Sequence, residues 1–180
     1  MTSLASRWTS VTSVVAVLAL VVTTLLSAPN PPDARAEPLP ADLSVVRMLT
    51  VEQALLDKTN ADRITNGVPA LDFDRETLEI ARQRATQQLG PGSLNHYDEQ
   101  GSLAFVNLLE QSKLGYGLAG ENLARSKDEG TDVIERIEDA LMKSPTHRQN
   151  ILEQRFSRAA IGMARDNDGR IAFAEIFRGD

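Results

Sequence analysis

The chain carries two histidines. The second, His147, stands in Ser144-Pro145-Thr146-His147-Arg148-Gln149-Asn150-Ile151-Leu152, downstream of His96 and of Gly120-Glu121-Asn122. Two imidazoles and one carboxylate can hold a divalent cation or polarise a small ligand, provided folding brings them into one cleft. His96, Glu121 and His147 are therefore the candidate metal ligands, and Ser144 joins them as a candidate cleft residue. With Ser144 as helix cap and Pro145 at the first helical position, His147 falls in the first turn, where free N–H groups and the positive end of the helix dipole disfavour an imidazolium. The ring is expected to stay neutral and able to accept. A neutral imidazole can bind zinc or take a proton, with Glu121 as anionic partner. The plainer alternative gives His147 only a part in its own helix end and Glu121 only backbone partners.

Other constellations are weaker. There is no Gly-x-Ser-x-Gly elbow and no His-Glu-x-x-His helix. Ser144 and His147 could meet across one helical turn, yet a capping serine commits its oxygen to backbone N–H groups, and no third triad member is evident. Gly115-Tyr116-Gly117-Leu118-Ala119-Gly120 matches the dinucleotide pattern Gly-x-Gly-x-x-Gly, but a helical stretch precedes it where that pattern needs a strand. It is read as a flexible loop delivering Glu121. The closing Arg178-Gly179-Asp180 spells an adhesion tripeptide, which at a frayed end is chance.

The elements that must position these residues follow from pattern and punctuation. Thr50 and Gln53 have capping-box spacing, predicting a first helix through about Asn66, which Gly67 ends in the left-handed conformation. Val68 to Leu71 runs extended to Asp74, a cap for a second helix whose stripe is Leu78, Ala81, Ala85 and Leu89. Gly90-Pro91-Gly92 stops that helix. A loop holding His96 leads to a third, from about Ser102 to Leu114, and a glycine-rich turn then delivers Glu121. Val133, Ile134, Ile137 and Leu141 form a further stripe, which must stop before Ser144-Pro145. After Phe156 the period shortens, and Asp166-Asn167-Asp168-Gly169 separates two strand-like runs as a hairpin turn. Helices first and a hairpin last predict an α+β layered domain with a small antiparallel sheet.

The N-terminus reads as a signal peptide over residues 1–36. Arg7 is followed by no charge until Asp33, Val14 to Leu26 is mostly Val, Leu and Ala, and Ala34-Arg35-Ala36 has the small-x-small cleavage pattern. An uncleaved anchor is the rival, since an uncharged stretch of this length could just cross a bilayer. Residues 37–49 are expected as a Pro-rich tether and residues 50–180 as the domain. The chain has no cysteine, so disulfides and a lipoprotein anchor are excluded and the core alone must stabilise the fold. The net charge is −6, and cleavage would remove Arg7, Asp33 and Arg35, making the balance more acidic still. Such a surface argues against nucleic acid or an anionic membrane as partner. Membrane contact is expected only through the signal segment.

Asn60-x-x-Arg63 with Gly67 and Leu71, then Leu78 and Ala81, His96, Gly120-Glu121-Asn122-Leu123-Ala124, the Ser144 to Leu152 motif, Ile161-Gly162 and Phe177 occur in an order and spacing that resemble the CAP superfamily. That group comprises cysteine-rich secretory proteins, antigen 5 and plant pathogenesis-related class 1 proteins, and the resemblance is to its cysteine-free bacterial form, over about Leu55 to Phe177. It implies a three-layer α-β-α sandwich whose cleft carries two histidines and two acidic residues. Three of those positions are His96, Glu121 and His147. Ser144 stands where the second acidic residue falls in the family. The signal segment implies a secreted or cell-wall-associated protein, expected as a monomer. The cleft triad without a complete catalytic constellation points to a binder, for which the resemblance implies a divalent cation such as zinc or a small ligand such as a lipid or sterol. Two other functions stay open: a metal-assisted hydrolase of peptide or cell-wall material, with Glu121 or a histidine as general base, and an extracellular protein-interaction module that uses its outer surface.

Overall fold

A computed structural model describes residues 43–127, 130 and 132–180. The proposed signal peptide and residues 37–42 of the expected tether lie outside them. Helix α1, Leu43–Thr65, begins ahead of the expected start at Thr50. Nothing from Leu43 to Leu49 interrupts a helix, since the stretch lacks Gly and Pro, so the capping-box spacing falls inside the helix and Gln53 Nε2 instead donates to Asp57 at 2.8 Å. Gly67, at φ +76°, ends it as expected.

The remaining elements are β1 (Asp72–Phe73), α2 (Leu78–Gln87), α3 (Ala104–Gln111), β2 (Leu118–Ser126), α4 (Val133–Lys143), α5 (Pro145–Ile151), β3 (Arg158–Arg165) and β4 (Ile171–Gly179). Asp74 caps the turn leading into α2, its carboxylate accepting the Thr77 N–H and hydroxyl at 3.3 and 2.7 Å. Helix α3 is shorter than the expected span of Ser102 to Leu114. The four strands lie in the order β1-β3-β4-β2, with β1 parallel to β3 and the other pairs antiparallel.

Two expectations are corrected. The glycine-rich segment expected as a loop delivering Glu121 is strand from Leu118 onward, where β2 pairs with β4 as far as Ser126, and only Gly115 to Gly117 lie ahead of the strand. Two of the glycines serve close approach: a Cβ on Gly117, just before β2, would lie 2.5 Å from the Asp180 backbone carbon, and one on Gly120, within β2, would lie 2.9 Å from the Phe156 ring. The C-terminus is not frayed either. Arg178 is buried in β4 and its Nε donates to Asp74 at 2.6 Å, so the first two residues of the adhesion tripeptide close a strand and only Asp180 lies beyond it.

Strand alternation sorts the core into two layers around the sheet. Ile161, Met163, Phe173 and Phe177 pack with Leu55 of α1, Ile137 and Leu141 of α4, and Ile151 of α5. Ala160 and Ile176 pack with α2 and α3 through Ile80, Ala81, Phe105 and Leu109, while Leu123, Ala164 and Ala174 meet Ala85. β4 is buried along its whole length, which explains its nearly continuous apolar run. The result is the three-layer α-β-α sandwich. On the α2 face the sheet offers Ala160, Gly162, Ala164 and Ala174, and a Cβ on Gly162 would sit 2.1 Å from the Ala81 carbonyl carbon. Small residues thus let α2 lie directly on β3. Among the described residues no helix is long and apolar enough to cross a membrane.

Candidate functional site

Alternation along β2 turns Glu121 towards α2, because its neighbours Gly120 and Asn122 face the α1/α4/α5 layer. α2 answers with Arg84. Its Nε and Nη2 donate to the two carboxylate oxygens at 2.7 and 3.1 Å, and the side chains are 2% and 1% exposed. A bidentate guanidinium–carboxylate pair fixes orientation as well as charge. The same carboxylate lies 2.8 Å from His96 Nδ1. A carboxylate only accepts, so Nδ1 carries the hydrogen and Nε2 is the ring nitrogen that Glu121 leaves unengaged.

The His96 loop is held independently of that contact. Arg84 Nη2 and the Gln88 side chain donate to the Asn95 carbonyl, Gln88 Oε1 accepts the Asn95 N–H, and Ala104 N–H donates to His96 O. Arg84, the hub of this arrangement, was missed by sequence reasoning. The signal was available: position 84 falls on the apolar side of α2 between Ala81 and Ala85, and a charge on a buried stripe needs a partner.

His147 arrives from the other side of the cleft on the first turn of α5, which starts with Pro145 as expected. Ser144 does not behave as expected. Its backbone is extended at φ −86° and ψ 120°, but no side-chain hydrogen bond caps the helix, and its Oγ lies 3.3 Å from Thr146 Oγ1. Burial lowers the His147 pKa below its ordinary value, and neighbouring His96 pushes it the same way. The neutral ring argued from the helix start is thus favoured mainly by desolvation. The Asn122 Nδ2 donates to the His147 carbonyl at 3.2 Å, and Asn150 Nδ2 donates to Asn122 Oδ1 and Glu121 O, so β2 positions α5 by side-chain bonds.

His96, Glu121 and His147 line one cleft of about 270 Å³. Tyr97, Leu103, Phe105 and Ala119 add an apolar wall, and Thr146 and Asn150 add polar atoms. Ser144 is not part of the lining; Thr146, two residues on, takes that place. A divalent cation fits this set poorly as a three-ligand centre. Both Glu121 oxygens already accept N–H groups from Arg84 and His96, and among the described residues no three His, Asp or Glu side chains are grouped to hold a metal.

An α-β-α sandwich with two histidines facing a common cleft, one of them braced by a buried carboxylate, defines the class. The family described as "CAP: Cysteine-rich secretory protein family" matches residues 56–177, and the chain belongs to that family while containing no cysteine. It is 27% identical over 111 residues to the protein YkwD of Bacillus subtilis (strain 168), covering 62% of this chain and 41% of YkwD. It is also 27% identical over 117 residues to the membrane protein YlbC of the same organism, covering 64% and 32%. Among solved structures, an extracellular protein containing a SCP domain from Bacillus anthracis str. Ames superposes with a TM-score of 0.63 at 23% identity, covering 81% of this chain and 45% of that one. The chain thus spans less than half the length of these relatives.

Proposed function

We propose that this is an extracellular binding domain rather than a catalyst, and that its cleft takes a small ligand through the two imidazoles. One observation carries the reading: the buried Arg84–Glu121 pair holds His96 by Nδ1, which leaves Nε2 as a preset acceptor or donor atom beside His147. A side chain oriented by a buried partner is ready for a ligand without reordering. The apolar wall of Tyr97, Leu103 and Phe105 suits the hydrocarbon part of a lipid or sterol. A cation such as zinc would find two protein donors, the imidazoles, with the rest of its shell from water or ligand.

Catalysis is disfavoured by the same geometry. Glu121, one of the general bases a hydrolase could use, has both oxygens engaged, and the Ser144 and Thr146 hydroxyls share a hydrogen bond. The uncharged, apolar segment near the N-terminus supports export, and the naming of the Bacillus anthracis relative as extracellular agrees with it.

Calorimetric titration of zinc, a fatty acid and a sterol into the wild-type protein and into His96→Ala and His147→Ala tests the reading. At least one ligand should bind the wild type and weaken about tenfold or more in both variants. Equal binding by all three proteins would move the ligand elsewhere, and no binding with surface-dependent capture of a protein partner would favour the interaction module. Chelator-sensitive turnover of peptide or peptidoglycan would overturn the non-catalytic assignment.

A further inference from the structure

Behind the cleft, on the opposite face of β2, the interior holds two carboxylates that the proposed function does not use. Glu138 of α4 is 0% exposed and Glu175 of β4 is 1% exposed. Both reach one hydroxyl, Thr59 Oγ1 of α1, which lies 3.0 Å from Glu138 Oε2, 3.3 Å from Glu175 Oε1 and 2.9 Å from the Leu55 carbonyl. A hydroxyl has one hydrogen, so three acceptors surround a single donor proton. Glu138 Oε1 is moreover the one buried side-chain oxygen or nitrogen without a hydrogen-bond partner among the described residues. Two buried anions meeting at one hydroxyl are short of positive charge and of hydrogen.

We propose that Glu138 and Glu175 form an interior proton-binding site, with one proton held on Glu138 and its occupancy coupled to the cleft through Asn122. A proton on Glu138 Oε2 donates to Thr59 Oγ1, which frees the hydroxyl hydrogen for Glu175 or for Leu55 O. With a single proton in the pair Glu175 is the carboxylate, because Asn122 Nδ2 donates to its Oε2 at 3.0 Å. The same Asn122 amide donates to the His147 carbonyl and accepts from Asn150, which lines the cleft. Losing the proton sets two anions against each other, and the hydrogen-bonded route from Glu175 to α5 is Asn122.

The surrounding charges do not remove the conflict. Lys58 of α1 favours the Glu138 anion, but it is paired with Asp62 at 2.8 Å, and Asp62 opposes that anion, as does Glu175. Glu135 on α4 also interacts with Lys58. Burial is the largest cause holding both carboxyls above the ordinary glutamate range, with Glu175 next for Glu138. The site does not depend on the identity of the cleft ligand, so it stands or falls separately from the binding reading.

Carbon-detected NMR of the glutamate carboxyls, with the side-chain amides of Asn122 and Asn150 followed in parallel, tests it across a pH series on wild type, Glu138→Gln and Glu175→Gln. Glu138 should titrate well above the ordinary glutamate value of about 4.3, and the Asn122 and Asn150 amides should shift with the same midpoint. That step should vanish in Glu138→Gln, whose amide supplies the hydrogen permanently, while the histidine titrations persist. Glu138 titrating in the ordinary range would overturn the proposal. Amides that stay still while Glu138 titrates, or shift identically in Glu138→Gln, would overturn the coupling. Carboxyl signals that respond to added calcium at fixed pH would replace the proton by a cation. Glu175→Gln should move the Glu138 midpoint down by removing the opposing charge, and an unmoved midpoint would show that the two groups are not a pair.

Discussion

Arg84 and Glu121 illustrate how a single buried pair can set the chemistry of a neighbour. Neither side chain touches solvent appreciably, so removing one leaves the other as an uncompensated interior charge. Arg84→Met is expected to cost about 3–5 kcal/mol in urea unfolding, and to free the His96 ring in side-chain NMR. A loss below about 1 kcal/mol, within the range of an exposed pair, would show that the pair is not buried in solution. His147 makes a second check. Burial and His96 lower its pKa, so its imidazole should lose its proton below the free-histidine value of about 6.5. Proton NMR reads this cleanly, because the chain has only two histidines. A His147 midpoint at or above the free value would contradict the desolvated cleft.

Helix α5 is too short to orient His147 unaided, and to the bonds from β2 is added an anchor from α1. Arg63, fully buried, donates to the carbonyls of Ile151 at 2.6 Å, Glu153 at 3.0 Å and Phe156 at 3.2 Å, and through Nε to Pro69 at 2.8 Å. One guanidinium therefore closes the C-terminal end of α5 and the chain after it. Asn60, one turn earlier, brackets Leu71 by donating to its carbonyl and accepting its N–H. The Asn60-x-x-Arg63 motif is thus a clasp for two loops. Arg63→Lys keeps the charge but cannot span four carbonyls, so urea unfolding should show a loss of about 3 kcal/mol or more, with hydrogen exchange fastest in α5. Unchanged exchange in α5 would remove the clasp argument. On the other face, Gly162→Ala would force α2 away from β3, because the added carbon overlaps helix backbone rather than a movable side chain. A loss of about 1–3 kcal/mol or more is expected in the same assay, and a neutral substitution would mean that the helix stands farther from the sheet.

For the molecule as a whole, the interior carboxylates link stability to pH. Both folded-state pKa values lie above the ordinary glutamate value near 4.5, that of Glu138 at about 9, so the fold holds the proton more tightly than the open chain. Their contribution to stability is complete below about pH 4.5 and is lost as pH rises through about 7 for Glu175 and about 9 for Glu138. Thermal unfolding should therefore show Glu138→Gln gaining on wild type as pH increases, the two curves converging in acid. A constant difference across that range would contradict the linkage. Much of the architecture was legible in the sequence because it rests on local signals: the stripes of α2 and α4, Gly67 as a stop, Pro145 opening α5, and the Asp166–Gly169 turn joining β3 to β4. The family was legible too, since its motifs are short runs in fixed order. β2 was not, because a strand buried on both faces loses the alternation that marks a strand, and Gly117 before it and Gly120 within it, placed for contact with Asp180 and Phe156, look like turn residues. Nor could the sequence show that Arg84 would hold Glu121, that Thr146 would replace Ser144 at the cleft, or that Glu138 and Glu175 would meet at Thr59. Residues 79 and 116 positions apart share that hydroxyl. Composition and spacing decide which segments become helices and which side chains are chemically able; which of those side chains meet, and which are removed from water, is decided only when sheet register and helix docking place distant segments against one another.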